Sequence, residues 1–192
     1  MEMKKGKVII LVAPSGSGKS TMAKRLFKDF EELKFSVSAT TRTPREGELD
    51  GVHYHFLTPE EFQDRINEND FLEWEEFYGG KRYGTLRSEV DKKLNLGYFI
   101  LLDIEVKGAM NIKEIYADNC LSIFIQPPSL EDLEQRLTLR GTETAESLAL
   151  RLDRAKKELT YADRFDRVII NDDLETAYAQ IKEAVANFMN LN

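Results

Sequence analysis

The sequence predicts an α/β fold in three layers, with a parallel central sheet covered by helices on both faces. Four short runs of consecutive apolar residues have the Val, Ile and Leu content of strands buried on both sides. They lie at 7–12, 98–104, 121–125 and 167–170. Apolar residues at helical spacing fill the stretches between and after them. Strands that alternate with helices favour a parallel sheet with right-handed crossovers.

Local signals mark the elements in chain order. Gly6 and Pro14 bound the first strand, and the next helix carries apolar residues three and four positions apart, at Met22, Leu26, Phe27 and Phe30. The second strand follows Gly97 and ends in an acid, Asp103. The same helical spacing predicts further helices around 86–94, 112–116 and 174–188.

Two stretches interrupt the alternation of strands and helices. Between 35 and 85, polar alternation with aromatic residues and the pair Gly79-Gly80 predicts a small insert with an antiparallel hairpin. Within it, Thr58 has the pattern of a helix cap. Between 127 and 160 we expect two helices, capped by Ser129 and Thr144. The chain is therefore expected to form one domain, 1–192, with a core at about 1–34, 86–126 and 161–192 and inserts at about 35–85 and 127–160.

Composition limits the possible classes of protein. Of the 192 residues, 42% are hydrophobic and 32% are charged, which excludes collagen-like and disordered chains. The net charge of −7 argues against non-specific binding to nucleic acid or to an anionic membrane, so neither is an expected partner. The single cysteine, Cys120, fits a reducing compartment, and the short apolar run near the N-terminus fits neither a signal peptide nor a membrane span. We expect a cytoplasmic location.

The turn after the first strand has the pattern of a phosphate-binding loop. Such a loop follows a strand and opens a helix, so that backbone N–H groups and the helix dipole meet phosphate oxygens. The predicted nucleoside triphosphate site comprises Ala13, Pro14, Ser15, Gly16, Ser17, Gly18, Lys19, Ser20 and Thr21. Lys19 is expected to reach the β- and γ-phosphates, and the Ser20 hydroxyl to face Mg²⁺. Asp103 is a second candidate Mg²⁺ ligand. The alternative for Asp103 is a cap of the following helix.

The first insert carries candidates for a second anion. Arg42 and Arg45 flank a proline three residues apart, so that both could contact one phosphate, and Tyr54 and Tyr83 could add hydroxyl donors. A solubilising role for the arginines and hairpin packing for the tyrosines are the alternatives.

Two acids are candidates for recognising a base. Glu73 lies inside an aromatic strand, and Glu105 follows Asp103 by two residues. Guanine presents N1–H and N2–H₂ donors on one edge, whereas adenine presents an acceptor there, so an acidic pair favours guanine. A solvent-facing strand position is the alternative for Glu73.

Four arginines of the second insert could close over a transferring phosphate. Arg136 and Arg140 lie four residues apart, and Arg151 and Arg154 three apart. The alternative for Arg136 and Arg154 is a position on an exposed, charged helix face. Arg140 differs, because it lies beside a glycine at a helix end.

Taken together, these motifs resemble the guanylate kinase family over nearly the whole chain. The motifs are, in order, APSGSGKST, SVSATTRTPREGELDGVHYHF, FLEW, YGT, LDIEVKGA, RGTETAESLALRL and NDDL. The resemblance implies a P-loop core with a small mixed GMP-binding insert at 35–85 and a helical lid at 127–160. It implies transfer of the ATP γ-phosphoryl group to GMP and dGMP with Mg²⁺, without an obligate protein partner.

The resemblance also assigns roles to residues. The acceptor phosphate would be held by Arg42, Arg45, Tyr54 and Tyr83, and guanine by Ser38, Glu73, Thr85 and Glu105. The transferring phosphate would be contacted by Lys19, Arg140 and Arg151, and the adenine by Asn171 and Asp172. The chain departs from the family pattern at Ala13, where a glycine is usual, and at Lys107, where a glutamine is frequent.

Three other functions are weighed against this one. A kinase for another nucleotide or a sugar phosphate would share the loop. A non-catalytic binding module of the same fold is disfavoured by Lys19, Asp103 and the candidate lid arginines. A regulatory GTPase is disfavoured because an N-K-x-D segment is lacking.

Overall fold

The computed structural model describes residues 6–77, 79–139 and 144–190. Nine strands and seven α-helices lie in these ranges, together with two short 3₁₀ helices. The strands are β1 (Val8–Val12), β2 (Leu33–Phe35), β3 (Ala39–Thr40), β4 (His55–Phe56), β5 (Phe71–Phe77), β6 (Lys81–Leu86), β7 (Phe99–Asp103), β8 (Cys120–Gln126) and β9 (Arg167–Ile170). The helices are α1 (Lys19–Asp29), α2 (Pro59–Asn67), α3 (Arg87–Asn95), α4 (Val106–Tyr116), α5 (Leu130–Leu139), α6 (Ala145–Leu159) and α7 (Leu174–Asn190).

The central sheet has five parallel strands in the order β2-β7-β1-β8-β9. Its four longer strands are the four apolar runs, so the predicted parallel sheet is confirmed. The sequence did not predict β2, which spans three residues at the sheet edge and buries only Leu33. Such a short, half-exposed strand carries almost no periodic signal.

Helices cover both faces of this sheet. Successive strand side chains point to opposite faces, so β1 contributes to two cores. Ile9 and Leu11 pack in a core with apolar residues of α1 and α7. Val8 and Ile10 pack in the other core, with α3 and α4. The three-layer α/β architecture is therefore confirmed.

A second sheet is formed within residues 39–86, in the order β4-β3-β6-β5. It is mixed, because β3 pairs parallel with β4 while β6 pairs antiparallel with β3 and β5. The β5–β6 hairpin turns at Gly79 and Gly80, whose φ angles are +79° and +71°. Helix α2 starts at the predicted Thr58 cap, and its Phe62 stacks on Phe71 at 4.4 Å between ring centroids.

Helices α5 and α6 pack against each other next to the carboxyl ends of β1, β7 and β9. The predicted caps are present: Ser129 Oγ accepts from the Asp132 N–H, and Thr144 Oγ1 accepts from the Ser147 N–H. The connection at 140–143 lies outside the described residues, and so does Arg140. In the part of the chain that the structure describes, no helix has the length and apolar character to span a membrane.

Candidate active site

The phosphate-loop motif forms the turn between β1 and α1. Gly16 and Gly18 adopt φ angles of +99° and +94°, a region that side chains disfavour. Among the described residues, only Asn69 and Ala117 combine a side chain with a positive φ. Ala13 therefore has an ordinary backbone conformation, and the alanine is tolerated there without strain.

Two neighbouring elements pack closely on this loop. A Cβ at Gly16 would lie 3.0 Å from Leu133 Cδ1 on α5, and a Cβ at Gly18 would lie 2.6 Å from Asn171 Nδ2. The Asn171 amide donates to the Ser17 carbonyl at 2.8 Å, and only 4% of Asn171 is exposed. The Asn171 side chain thus holds the phosphate loop through the Ser17 carbonyl.

Asn171 and Asp172 were expected near an adenine. The structure places the Asn171 side chain beneath the loop, where its amide contacts protein backbone, and the adenine contact stays a prediction. Asp172 is exposed. Arg136 Nη2 donates to the Asn171 carbonyl at 2.9 Å, so Arg136 connects α5 to the end of β9.

A first cavity of about 590 Å³ opens over the loop. Its lining comes from the loop, the end of β7 and one face of α6. The lining residues are Ala13, Pro14, Ser15, Gly16, Gly18, Lys19, Ser20, Thr21, Asp103, Glu105, Ser147, Leu150, Arg151, Arg154 and Glu158. Of the predicted loop residues, Ser17 is fully buried and does not line the cavity.

Two charged contacts cross the first cavity. Lys19 Nζ, at the start of α1, lies 2.5 Å from Asp103 Oδ1 at the end of β7. Arg151 Nη1 donates to Ser15 Oγ at 2.6 Å, which brings α6 onto the loop. Cationic groups from both the core and α6 are thereby directed at one space, as binding of a polyphosphate requires.

A second cavity of about 670 Å³ lies on the other side of Lys19. Its lining comes from the mixed sheet and the end of β7. The lining residues are Lys19, Phe35, Ser38, His53, Tyr54, Glu73, Glu75, Phe77, Lys81, Tyr83, Gly84, Asp103, Ile104 and Glu105. Lys19, Asp103 and Glu105 line both cavities and form a common wall.

Glu73 is a half-buried acid that lines the second cavity. It pairs across the β5–β6 hairpin with Thr85, whose hydroxyl donates to Glu73 Oε1 at 2.5 Å. Burial raises the pKa of Glu73 above its ordinary value, although the hydrogen bonds from Thr85 oppose this shift. A Cβ at Gly108 would lie 2.9 Å from the Glu73 Cβ and Cγ, so α4 supports the acid from behind.

Arg42 is positioned by the loop that precedes β4. Its Nη1 donates to Glu48 Oε2 at 2.7 Å and to the Thr43 carbonyl at 2.8 Å, and its Nη2 donates to Glu48 Oε1 at 2.9 Å. The guanidinium lies 5.3 Å from the centroid of the Tyr54 ring and beside the Tyr83 hydroxyl. Arg42 is buried but does not line the second cavity.

Sequence reasoning missed Glu48. This acid accepts from the Arg42 side chain and from the Arg45 backbone N–H, and the Arg42 guanidinium lowers the pKa of Glu48 to about 2. The Arg45 side chain is exposed. The only sequence signal for this role is an acid three residues after Arg45 in a loop of otherwise unassigned charges.

Arg154 was expected either near a phosphate or on an exposed face. Arg154 is exposed and lines the first cavity, and its guanidinium contacts two acids: Nη2 lies 2.7 Å from Glu105 Oε2, and Nε donates to Glu158 Oε1 at 2.9 Å. Sequence spacing could not reveal this contact, because Glu105 lies 49 residues earlier in the chain.

Two cavities on either side of one lysine, the first built on a phosphate loop, define a class of enzyme. They suit a triphosphate donor and a phosphorylated acceptor that meet at a shared wall. This is the arrangement of a nucleoside monophosphate kinase.

Comparison with known proteins identifies the family within this class. The guanylate kinase family model matches residues 5–188. The chain is 51% identical to guanylate kinase of Bacteroides thetaiotaomicron over 96% of this chain and 91% of that relative. It is 49% identical to guanylate kinase of Chlorobium luteolum, over 96% and 93% of the two chains. The chain belongs to the guanylate kinase family, whose activity is phosphorylation of GMP.

A solved structure supports the same assignment. The crystal structure of guanylate kinase from Anaplasma phagocytophilum superposes with a TM-score of 0.72 at 30% identity, covering 97% of this chain and 88% of that one. The family resemblance drawn from the motifs is therefore confirmed.

Proposed function

We propose that this protein transfers the γ-phosphoryl group of MgATP directly to an α-phosphate oxygen of GMP or dGMP. The bond between the γ-phosphorus and the β,γ-bridging oxygen breaks, a new P–O bond forms to the acceptor phosphate, and ADP leaves. The observation that supports this most strongly is the wall of Lys19, Asp103 and Glu105 between the two cavities. A donor and an acceptor placed on either side of this wall would meet at Lys19.

The first cavity would hold ATP. Backbone N–H groups of the loop and the N-terminus of α1 suit the phosphates, and Thr21 lines the same cavity. Lys19, Arg151 and Arg140 would stabilise charge on the transferring phosphate. Asn171 would contribute by holding the Ser17 carbonyl, and the exposed Asp172 would contact the adenine.

The second cavity would hold the acceptor nucleotide. Ser38, Glu73 and Glu105 line it, and Thr85 is bonded to Glu73, so acceptor groups face the guanine N1–H and N2–H₂ donors. Tyr54 and Tyr83 line the end where the phosphate would bind. Arg42 and Arg45 flank that end. Three of the guanidinium hydrogen bonds of Arg42 stay within its own loop, and the remaining donors face Tyr83.

Mg²⁺ would be held by Ser20 and Asp103. Both line the first cavity and offer oxygen donors, which this ion prefers. No group of three or more His, Cys, Asp or Glu that could hold a metal occurs in the described ranges, and substrate phosphates would complete the ligand set. When bound, the ion would neutralise charge on the β- and γ-phosphates. Asp103 would then exchange its contact with Lys19 for the ion.

No general base is needed in this reaction. The acceptor phosphate is anionic at neutral pH, so positioning and charge stabilisation by Lys19 and the arginines would supply the rate enhancement. Closure of α5 and α6 over both substrates would exclude water as a competing acceptor. The expected partners are the nucleotides themselves, and a cytoplasmic location fits the single buried Cys120.

A substrate screen tests the proposal. ADP release from MgATP is measured in a coupled assay with GMP, dGMP, AMP, CMP and UMP as acceptors. We expect turnover with GMP and dGMP and little with the other three. Equal or faster turnover with AMP, CMP or UMP would contradict the acceptor assignment.

A further inference from the structure

Arg154 and Arg151 lie one helical turn apart on α6, yet they reach different parts of the site. Arg151 contacts Ser15 of the phosphate loop. Arg154 Nη2 contacts Glu105 Oε2 at 2.7 Å, on the wall shared by both cavities. One helix therefore contacts the donor loop with one arginine and the acceptor wall with the next.

Three carboxylates from separate elements converge on Arg154. Glu105 follows β7, Glu158 lies on α6 itself, and Glu75 lies on β5 with Oε2 3.9 Å from Arg154 Nη2. The Glu158 side chain is only 12% exposed, and burial together with the charge of Glu105 raises its pKa. Without the guanidinium, three acids would face one another in a partly buried space.

The contact also determines how Glu105 is presented. A carboxylate that accepts from guanine needs one oxygen free and a fixed orientation. Because Arg154 binds Oε2 of Glu105, it restricts rotation of the carboxyl group that would accept from the base.

We propose that Arg154 is a positioning residue for recognition of the acceptor base. It orients Glu105, and through the same contact it ties α6, which carries Arg151, to the acceptor cavity. Acceptor selectivity thus depends on a residue of the second insert, remote in sequence from the other acceptor residues. This inference rests on the proposed function.

The test compares Arg154→Met, Arg154→Lys and the matched control Lys156→Met. Lys156 is exposed on the same helix and offers the same change of charge away from the acidic cluster. We expect Arg154→Met to raise KM for GMP about tenfold and to lower the GMP-to-AMP preference, as for loss of one charge-assisted hydrogen bond. KM for ATP should rise less than KM for GMP, because Arg154 also lines the first cavity. Arg154→Lys should restore part of the GMP affinity, and Lys156→Met should resemble wild type.

Calorimetry with GMP alone provides a readout that does not depend on turnover, and thermal melts verify that each variant is folded. A larger change in KM for ATP than for GMP would overturn the inference, because Arg154 would then act on the donor. An effect of Lys156→Met equal to that of Arg154→Met would overturn it as well. If wild-type protein phosphorylates GMP and Arg154→Met is unaltered, only this inference fails. If wild-type protein does not use GMP, the proposed function itself fails.

Discussion

The donor and acceptor cavities share a wall but are built in different ways. The donor cavity depends on one continuous segment, 13–21, whose backbone N–H groups and helix N-terminus are set by glycines at positive φ. The acceptor cavity is assembled from side chains of five separate segments, contributed by Ser38, Tyr54, Glu73, Tyr83 and Glu105. Recognition by backbone can be encoded in a short motif, whereas recognition by side chains requires the tertiary fold.

The two cavities also differ in electrostatics. On the donor side, Lys19 is paired with Asp103 and remains partly accessible. On the acceptor side, the half-buried Glu73 accepts from the Thr85 hydroxyl, and Arg42 is held by Glu48. The donor cavity thus presents cations to phosphates, whereas the acceptor cavity presents the Glu73 carboxylate, which burial destabilises, to the guanine base. Variants that affect one cavity and leave the other unchanged would sharpen this contrast.

The largest effect is expected for Lys19→Met. Loss of the cation at the shared wall should lower kcat on the order of 10³-fold, as for removal of a group that stabilises transition-state charge. GMP binding measured by calorimetry should change little. Lys24→Met, an exposed position on the same helix, is the control. Turnover of Lys19→Met near that of Lys24→Met would contradict the role of Lys19.

Next in size is Glu73→Gln. The neutral amide cannot accept from guanine as a carboxylate does, so KM for GMP should rise about 10- to 100-fold. KM for ATP should stay within about twofold, given additivity between distant sites. Steady-state kinetics with each substrate varied in turn measures both values. Equal losses for the two nucleotides would place Glu73 outside the base pocket.

A smaller effect on the donor side is expected for Asn171→Asp. The carboxylate cannot donate to the Ser17 carbonyl and would repel it, so the phosphate loop should shift and KM for ATP should rise about tenfold. Asn187→Asp, the same change at an exposed position on α7, is the control. An unchanged KM for ATP, with the protein folded, would show that the buried amide does not hold the loop for binding.

The smallest effect concerns stability. Because burial raises the pKa of Glu73, its ionised form costs stability above the folded-state pKa, and this cost disappears as the pH falls through that pKa. Glu73→Gln should therefore raise the melting temperature at neutral pH, by roughly 2–4 °C for each kcal/mol relieved. The gain should shrink toward acidic pH. A lower melting temperature at neutral pH would mean that Glu73 stabilises the folded protein.

Several features of the fold could be predicted because their signals are local. The four buried strands are continuous apolar runs, and the caps at Thr58, Ser129 and Thr144 follow from a hydroxyl residue before a helical pattern. The short strand β2 could not be predicted, since its pairing with β7 depends on a neighbour more than sixty residues away.

In the candidate site, too, features with local sequence signals could be predicted and features that depend on tertiary contacts could not. The phosphate loop was evident from residues 13–21 alone. Three other roles were not evident from the sequence: those of Glu48 beside Arg42, of Asn171 beneath the loop and of Arg154 beside Glu105. Each is defined by a contact between charged or polar groups that lie apart in the chain. Sequence spacing records neither these distances nor the burial that gives them their strength.

By itself, the sequence determined the class of fold, the donor loop and the family to which the chain belongs, because glycine positions, hydrophobic period and motif order are properties of the linear chain. Only the tertiary structure decided which acids and cations meet. It placed Lys19, Asp103 and Glu105 on one wall and brought Arg154 to Glu105. Electrostatic interactions depend on distance and on exposure to water, and both are established only when the chain folds.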